Sequence, residues 1–128
     1  LMGGDGITDD EFATIAGPGV EGTLMTFSPD PRTNPANKEI VAVFRKKGFE
    51  PQAYTLYSYA ALQIVKEAAA MAKTLDTKKI AAVMSSGKPF KTVLGDISFD
   101  KKGDITRPDY VLYTWKKQSD GKITYVVE

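Results

Sequence analysis

The chain has 128 residues, 42% of them apolar, enough for a real core in one domain on length alone. Its 17 basic and 16 acidic side chains leave a net charge of +1, which argues against nucleic acid and anionic membrane surfaces as partners. With no cysteine and no histidine, thiol nucleophiles, thiolate metal sites, disulfides, the commonest general base and the commonest transition-metal ligand are all excluded, so a hydrolase or metalloenzyme is disfavoured and no cofactor is called for.

Leu1-Met2-Gly3-Gly4-Asp5-Gly6-Ile7 is an apolar entry that breaks into glycines around one carboxylate. Glycine tolerates positive φ and lets a ligand approach the main chain, so the pattern reads as the carboxyl end of a buried strand, where open α/β sheets place their ligands. Asp5 is then a candidate contact for a cation or an ammonium group. The alternative is a plain strand-to-helix turn with a solvated acid. A strand with nothing before it is an odd start, and a fragment of a longer chain is expected.

Thr8-Asp9-Asp10-Glu11 has the spacing of a capping box, which predicts a short helix from Thr8 to about Ala16, stopped by Gly17-Pro18-Gly19. Val20 to Phe27 is rich in β-branched and apolar residues and predicts a mostly buried strand. Ser28 to Thr33, with two prolines, reads as an exposed loop. Asn34 is placed to cap a helix with Pro35 at its first position, running to Lys46-Lys47-Gly48 with cations at its negative end and a glycine stop.

Tyr54 to about Lys73 is the longest helical pattern, apolar at Ala60, Ala61, Ile64, Val65, Ala68, Ala69 and Ala72, so most of its circumference is expected to pack. Tyr54, Tyr57 and Tyr59 cluster at its start, where tyrosines are core packing more often than ligand walls. Asp76 or Thr77 caps a further helix to Met84. Phe90 to Leu94 and Ile97 to Phe99 are short strand candidates, and Asp100-Lys101-Lys102-Gly103 is a tight turn before Ile105. That turn lacks the alternating acids and the distal bidentate Glu of a calcium loop, so metal binding is not expected. Tyr110 to Lys117 and Ile123 to Val127 flank Asp120-Gly121, a strong hairpin signal, with Val111, Tyr113 and Trp115 on one face and Leu112 and Thr114 on the other. No apolar run is as long as a membrane span, and no basic-then-apolar leader is present.

Five stretches in order carry a resemblance: Met2-Gly3-Gly4-Asp5-Gly6; Ile15-Ala16-Gly17-Pro18 with Glu21-Gly22; Asp30 through Pro35-Ala36-Asn37-Lys38; Tyr59-Ala60-Ala61 with Gln63; and Gly95-Asp96-Ile97-Ser98-Phe99-Asp100-Lys101-Lys102-Gly103-Asp104. With the Tyr-Val-Leu-Tyr-Thr-Trp ending, the chain resembles the carboxy-terminal part of the type I periplasmic binding proteins of branched-chain amino acid ABC transporters, the leucine/isoleucine/valine-binding family. The resemblance implies an α/β fold in two three-layer lobes joined by hinge strands, of which this chain holds portions of both. It assigns residues 1–52 to the carboxy-terminal lobe, 53–107 to the amino-terminal lobe and 108–128 to a return, with crossings near Ala53 and Arg107.

It further implies a periplasmic solute-binding component that closes round a small amino acid and docks on a membrane permease, with no chemistry done. The family's ammonium-binding acid matches Asp5, although Glu is frequent there, and its pocket-lining aromatic matches Tyr54. The groups that hold the ligand carboxylate lie outside this sequence. Partial lobes expose strand edges and apolar faces, so the alternative is a truncated, ligand-incompetent piece that self-associates as an edge-paired or exchanged oligomer, completing the fold from copies. A small α/β enzyme would need a nucleophile, a base and an electrophilic pocket, and no such constellation is present. The same fold also serves sensor and receptor domains.

Overall fold

The computed structural model describes all residues, 1–128. The elements follow in the order β1 (Met2–Gly3), α1 (Asp10–Ala16), β2 (Leu24–Phe27), α2 (Lys38–Lys46), α3 (Ala53–Ala72), α4 (Thr77–Met84), β3 (Phe90–Thr92), β4 (Gly95–Ile97), β5 (Val111–Lys117) and β6 (Ile123–Val127). They form two compact units: Leu1–Pro29 with Asp109–Glu128, and Asp30–Pro108. The limits between them fall at Pro29-Asp30 and Pro108-Asp109. Residues 30–52 join the second unit through polar and aromatic groups used there: Asn37 bonds the Val93 carbonyl, and Phe44 meets Tyr59 edge-on at 6.2 Å.

The first unit is a four-stranded sheet in the order β1-β2-β5-β6. β1 runs parallel to β2, with Met2 opposite Leu24; β2 pairs antiparallel with β5 from Leu24↔Thr114 to Phe27↔Val111; and β5 pairs antiparallel with β6. The alternation predicted for β5 places Tyr113 and Trp115 in the core. Trp115 is fully buried between Phe12 of α1, 5.3 Å away, and Tyr125 of β6, 5.1 Å away. Thr114 is buried as well, and its hydroxyl is satisfied by donating to the Glu128 carboxylate across the hairpin.

Two expectations shift here. The cap of α1 is Asp9, whose carboxylate accepts from the Glu11 amide at 2.8 Å, while the Thr8 hydroxyl donates to the Asp5 carbonyl at 2.6 Å and closes the preceding turn. Strand β2 begins only at Leu24, because Gly17–Val20 winds into a 3-10 turn that buries Val20 and Gly22 adopts φ +80.

In the second unit Asn34 accepts from the Ala36 amide, but the element it caps is a 3-10 turn over Pro35–Asn37, and α2 starts at Lys38. Gly48 at φ +78 stops α2, as its place after the last cations predicts. A reciprocal capping box between Gln52 and Thr55 opens α3, and Asp76 caps α4 by accepting from Lys78 and Lys79. The β3–β4 hairpin turns at Val93-Leu94 rather than running on as a strand to Leu94. Thr92 drives it, its hydroxyl donating to the Gly95 carbonyl at 2.8 Å and accepting from the Leu94 amide at 3.0 Å. Ile64 and Ala68 of α3 pack on Phe90, with Ile80, Val83, Met84, Ile97 and Phe99 around them.

Helix α3 buries one stripe, Leu56, Ala60, Ile64 and Ala68 at four-residue spacing, and not most of its circumference as expected. Leu62 is 70% exposed and Val65 46%. No helix is long and apolar enough to cross a membrane.

Candidate functional site

Asp5 lies in a 3-10 turn over Asp5–Ile7 at the carboxyl end of β1, but β1 is an exposed edge strand, with Met2 62% accessible, and not the buried strand expected of the glycine-rich stretch. The turn is held from below: the buried Thr8 returns both its amide, at 3.1 Å, and its hydroxyl to the Asp5 carbonyl, and Asp5 itself is exposed. Because β1 is parallel to β2, the Asp5 turn lies at the sheet end where β2 finishes and β5 begins. The glycines serve differently from the expectation. None of Gly3, Gly4 and Gly6 has positive φ; Gly3 is required because a Cβ there would stand 2.9 Å from Ile7 Cδ1, while Gly4 and Gly6 face open space. Only the first supports a close approach, and it is of a side chain to the main chain.

Tyr54 is the second residue of α3, in the other unit, 46% exposed. Its backbone is fixed by its neighbours. Ala53 is buried, and the Thr55 hydroxyl accepts from the Gln52 amide at 2.9 Å.

Upstream of α3 lies a clamp that sequence patterns alone did not single out. The Asp30 carboxylate accepts from the Arg32 amide at 2.9 Å, from Arg32 Nε at 2.9 and 3.0 Å, and from Nη2 at 2.5 Å. Arg32 Nη1 donates to the Pro51 carbonyl at 3.1 Å. Asp-Pro-Arg on a loop was a signal for it, since an acid two residues before an arginine both caps a turn and reaches the guanidinium.

A shallow groove of about 430 Å³ in the second unit is lined by Asn34, Asn37, Gln63, Lys91, Thr92 and neighbouring backbone. Its polar groups serve the fold. Asn37 Nδ2 donates to the carbonyls of Pro31 and Val93, each at 2.9 Å, and Gln63 Oε1 accepts from the Val93 amide at 2.9 Å. No group of acidic side chains is placed to hold a metal ion. In the 100–104 turn, Asp100 accepts from the amides of Lys102 and Asp104, and the Asp104 carboxylate pairs with Lys102 Nζ at 2.8 Å, so both acids brace the turn.

Residues 1–122 match the family described as periplasmic binding protein. The chain belongs to that family. Periplasmic binding proteins hold solutes and do no chemistry, in line with the reading of a binder rather than an enzyme. Over 126 residues the chain is 57% identical to a Leu/Ile/Val-binding protein homolog 1 of Brucella suis, which takes in 98% of this chain and 34% of that protein. It is 47% identical over 117 residues to an amino acid binding protein of Pseudomonas aeruginosa. Among solved structures, a leucine-binding protein of Thermotoga maritima superposes with a TM-score of 0.77 at 31% identity, covering 98% of this chain and 36% of that one. An ABC transporter substrate-binding protein of Desulfitobacterium hafniense, solved in complex with Leu, gives 0.65 at 26% identity. The chain thus spans about a third of the length of the curated relatives it matches, a partial α/β fold of the family. The resemblance to Leu/Ile/Val-binding proteins read from the five motifs is borne out.

Proposed function

We propose that this chain is part of the periplasmic solute-binding component of an ABC importer for branched-chain or related amino acids, working by hinge closure and docking on a membrane permease. The observation that carries the reading is the 57% identity to a Leu/Ile/Val-binding protein homolog along nearly the whole chain. The two units are then portions of the two lobes, and the chain crosses between them at Pro29-Asp30 and Pro108-Asp109. Asp5 takes the ligand ammonium and Tyr54 lines the pocket.

An exposed carboxylate at the carboxyl end of a parallel strand supports the role of Asp5, since enclosing an amino acid there converts it into a desolvated, charge-assisted partner. Removing one member of such a buried pair costs about 3–5 kcal/mol, so Asp5→Ala in the longer protein lowers leucine and valine affinity by about 100-fold or more. Isothermal calorimetry of wild type and variant tests it, with circular dichroism to verify folding. Near-native affinity refutes the role.

A second reading is favoured by the exposed apolar stripe of α3, with Leu62 70% and Val65 46% accessible, and by the open edge of β1. On this reading the chain by itself binds no ligand and pairs with a second copy. Native mass spectrometry with and without leucine separates the two. A dimer of unchanged mass that Leu62→Asp dissolves supports self-association, and one leucine per chain supports ligand binding.

A further inference from the structure

We propose that Arg32 is a positioning residue for Tyr54, holding the start of α3 through the Pro51 carbonyl; this rests on the reading of Tyr54 as a pocket wall. The guanidinium is anchored first. Asp30 is 9% exposed at its side chain and takes Nε and Nη2 together, while the same carboxylate caps a 3-10 turn over Pro31–Thr33 through the Arg32 amide. Charge, turn geometry and a planar fork therefore fix the guanidinium in one orientation. Nη1 points out of that fork and meets Pro51, nineteen residues on.

The carbonyl it meets stands one residue before the Gln52 cap, outside the hydrogen-bond ladder of α3, and Pro51 is fully buried. Only two residues separate it from Tyr54, and both are constrained: Gln52 by the capping box and Ala53 by burial to 1% exposure. Proline adds a fixed φ of its own at position 51. The path from Asp30 to Tyr54 thus contains no freely rotating step, and the place of the Tyr54 Cα is set by where Arg32 holds Pro51. Lysine cannot substitute, because one ammonium does not present a bidentate fork to Asp30 and a third donor to a carbonyl in another direction.

The test pairs two readouts on Arg32→Lys, which keeps the charge. Amide hydrogen exchange of this chain, without ligand, should quicken by about tenfold at residues 55–57, the first bonded amides of α3, on loss of one charge-assisted bond. Exchange at Ile64, Ala68 and Phe90 should be unchanged, which reports that the core has stayed folded. Unchanged exchange at 55–57 overturns the clamp, and so does a uniform rise along α3. In the longer protein, leucine titration by calorimetry should show Arg32→Lys weakening binding in the wild-type background and adding nothing in Tyr54→Ala. Equal losses in both backgrounds overturn positioning through Tyr54. If Tyr54→Ala alone leaves affinity intact, the pocket-wall reading fails and positioning of a ligand contact with it, while the exchange result still decides whether the clamp exists. Arg32→Gln, which lacks the charge but keeps a donor, serves as the second variant should the lysine chain fail to fold.

Discussion

Asn37 ties three segments of the second unit with one side chain, and its loss is a sharp test of how that unit is held. It is 4% exposed, and its Nδ2 supplies both bonds, to Pro31 in the opening turn and to Val93 at the hairpin tip. Asn37→Ala removes two bonds worth about 1 kcal/mol net each; the Pro31 carbonyl keeps the Asn34 amide at 3.3 Å, whereas the Val93 carbonyl loses the donor that Asn37 supplies, an added cost of up to about 2 kcal/mol. The Val93 end is only partly buried and can recruit water, so a total of about 2–4 kcal/mol is expected. Asn37→Asp should cost more, because it turns carboxylate oxygens toward the two carbonyls. Gln63→Ala, which strips only the Val93 amide of its acceptor, should cost about 1–2 kcal/mol.

Both side chains hold the same residue, so the double variant should cost less than the two singles together by at least about 0.5 kcal/mol, the signature of a shared element already loosened by the first change. Urea unfolding followed by helical ellipticity reads this unit, since α2, α3 and α4 all lie in it. The single tryptophan, Trp115, lies in the other unit, and its fluorescence provides an internal reference. A cost below about 0.5 kcal/mol for Asn37→Ala, or strict additivity with Gln63→Ala, would refute the bracing role.

Trp115 carries a buried indole N–H with no hydrogen-bond partner. Trp115→Phe should therefore be mild, under about 1.5 kcal/mol, since it discards an unsatisfied donor along with some packing, whereas Trp115→Ala should cost about 3–5 kcal/mol. Comparable losses for the two by denaturation would contradict this account of the indole. Thr114 foremost, then Lys116, hold the Glu128 carboxyl below its ordinary value of 4.5. A depressed folded value means that its contribution is present above about pH 4.5 and is lost as pH falls through that lower value. Protection of the Glu128 amide, bonded to the Leu112 carbonyl at 2.9 Å, should fall across that window when its exchange is compared with the intrinsic rate at each pH. In Glu128→Gln the acid-dependent loss of protection should vanish; its persistence would assign it to another group.

Element type was legible wherever local chemistry and tertiary packing agree. The Asp-Gly hairpin, the glycine stop after Lys46-Lys47 and the alternation through Trp115 all stand where their sequence signals point. Boundaries moved where two caps competed. Thr8 and Asp9 both offer an oxygen to the helix start, and which one caps is decided by Thr8 being drawn back to the Asp5 carbonyl. Nothing local marks Val93-Leu94 as a turn, because the apolar pair reads as strand and the hydroxyl that bends it is Thr92. Asp5 is marked as a cation or ammonium contact by its glycine-flanked turn and matched to the family's acid by resemblance, while Tyr54 becomes a pocket candidate through resemblance alone; their local surroundings agree with exposure but name no ligand. Arg32, Asn37 and Gln63 act across 19, 56 and 30 residues of chain, and no periodicity in a sequence encodes such pairings.

The sheet register bears on how a hinge would use Asp5. The pair Phe27↔Val111 ends the β2–β5 ladder, so the outgoing and returning connections leave adjacent positions at one end of the sheet. Tyr113 donates its hydroxyl to the Ser28 carbonyl at 3.3 Å, and Pro29 and Pro108 at the unit limits lack the N–H needed to extend a ladder. Two connections side by side bend more readily than they twist, so under the proposed function the bend is expected at Ser28-Pro29 and Pro108-Asp109. The Asp5 turn lies at that same sheet end. A group close to a bending line is displaced little by the bend, so under the proposed function the Asp5 contact is available before closure, and the free energy of closing comes from groups further away. Stopped-flow binding of leucine to the longer protein distinguishes the steps. Asp5→Ala should weaken the initial concentration-dependent phase and leave the later closure rate unchanged; an effect on closure alone would remove Asp5 from first contact with the ligand.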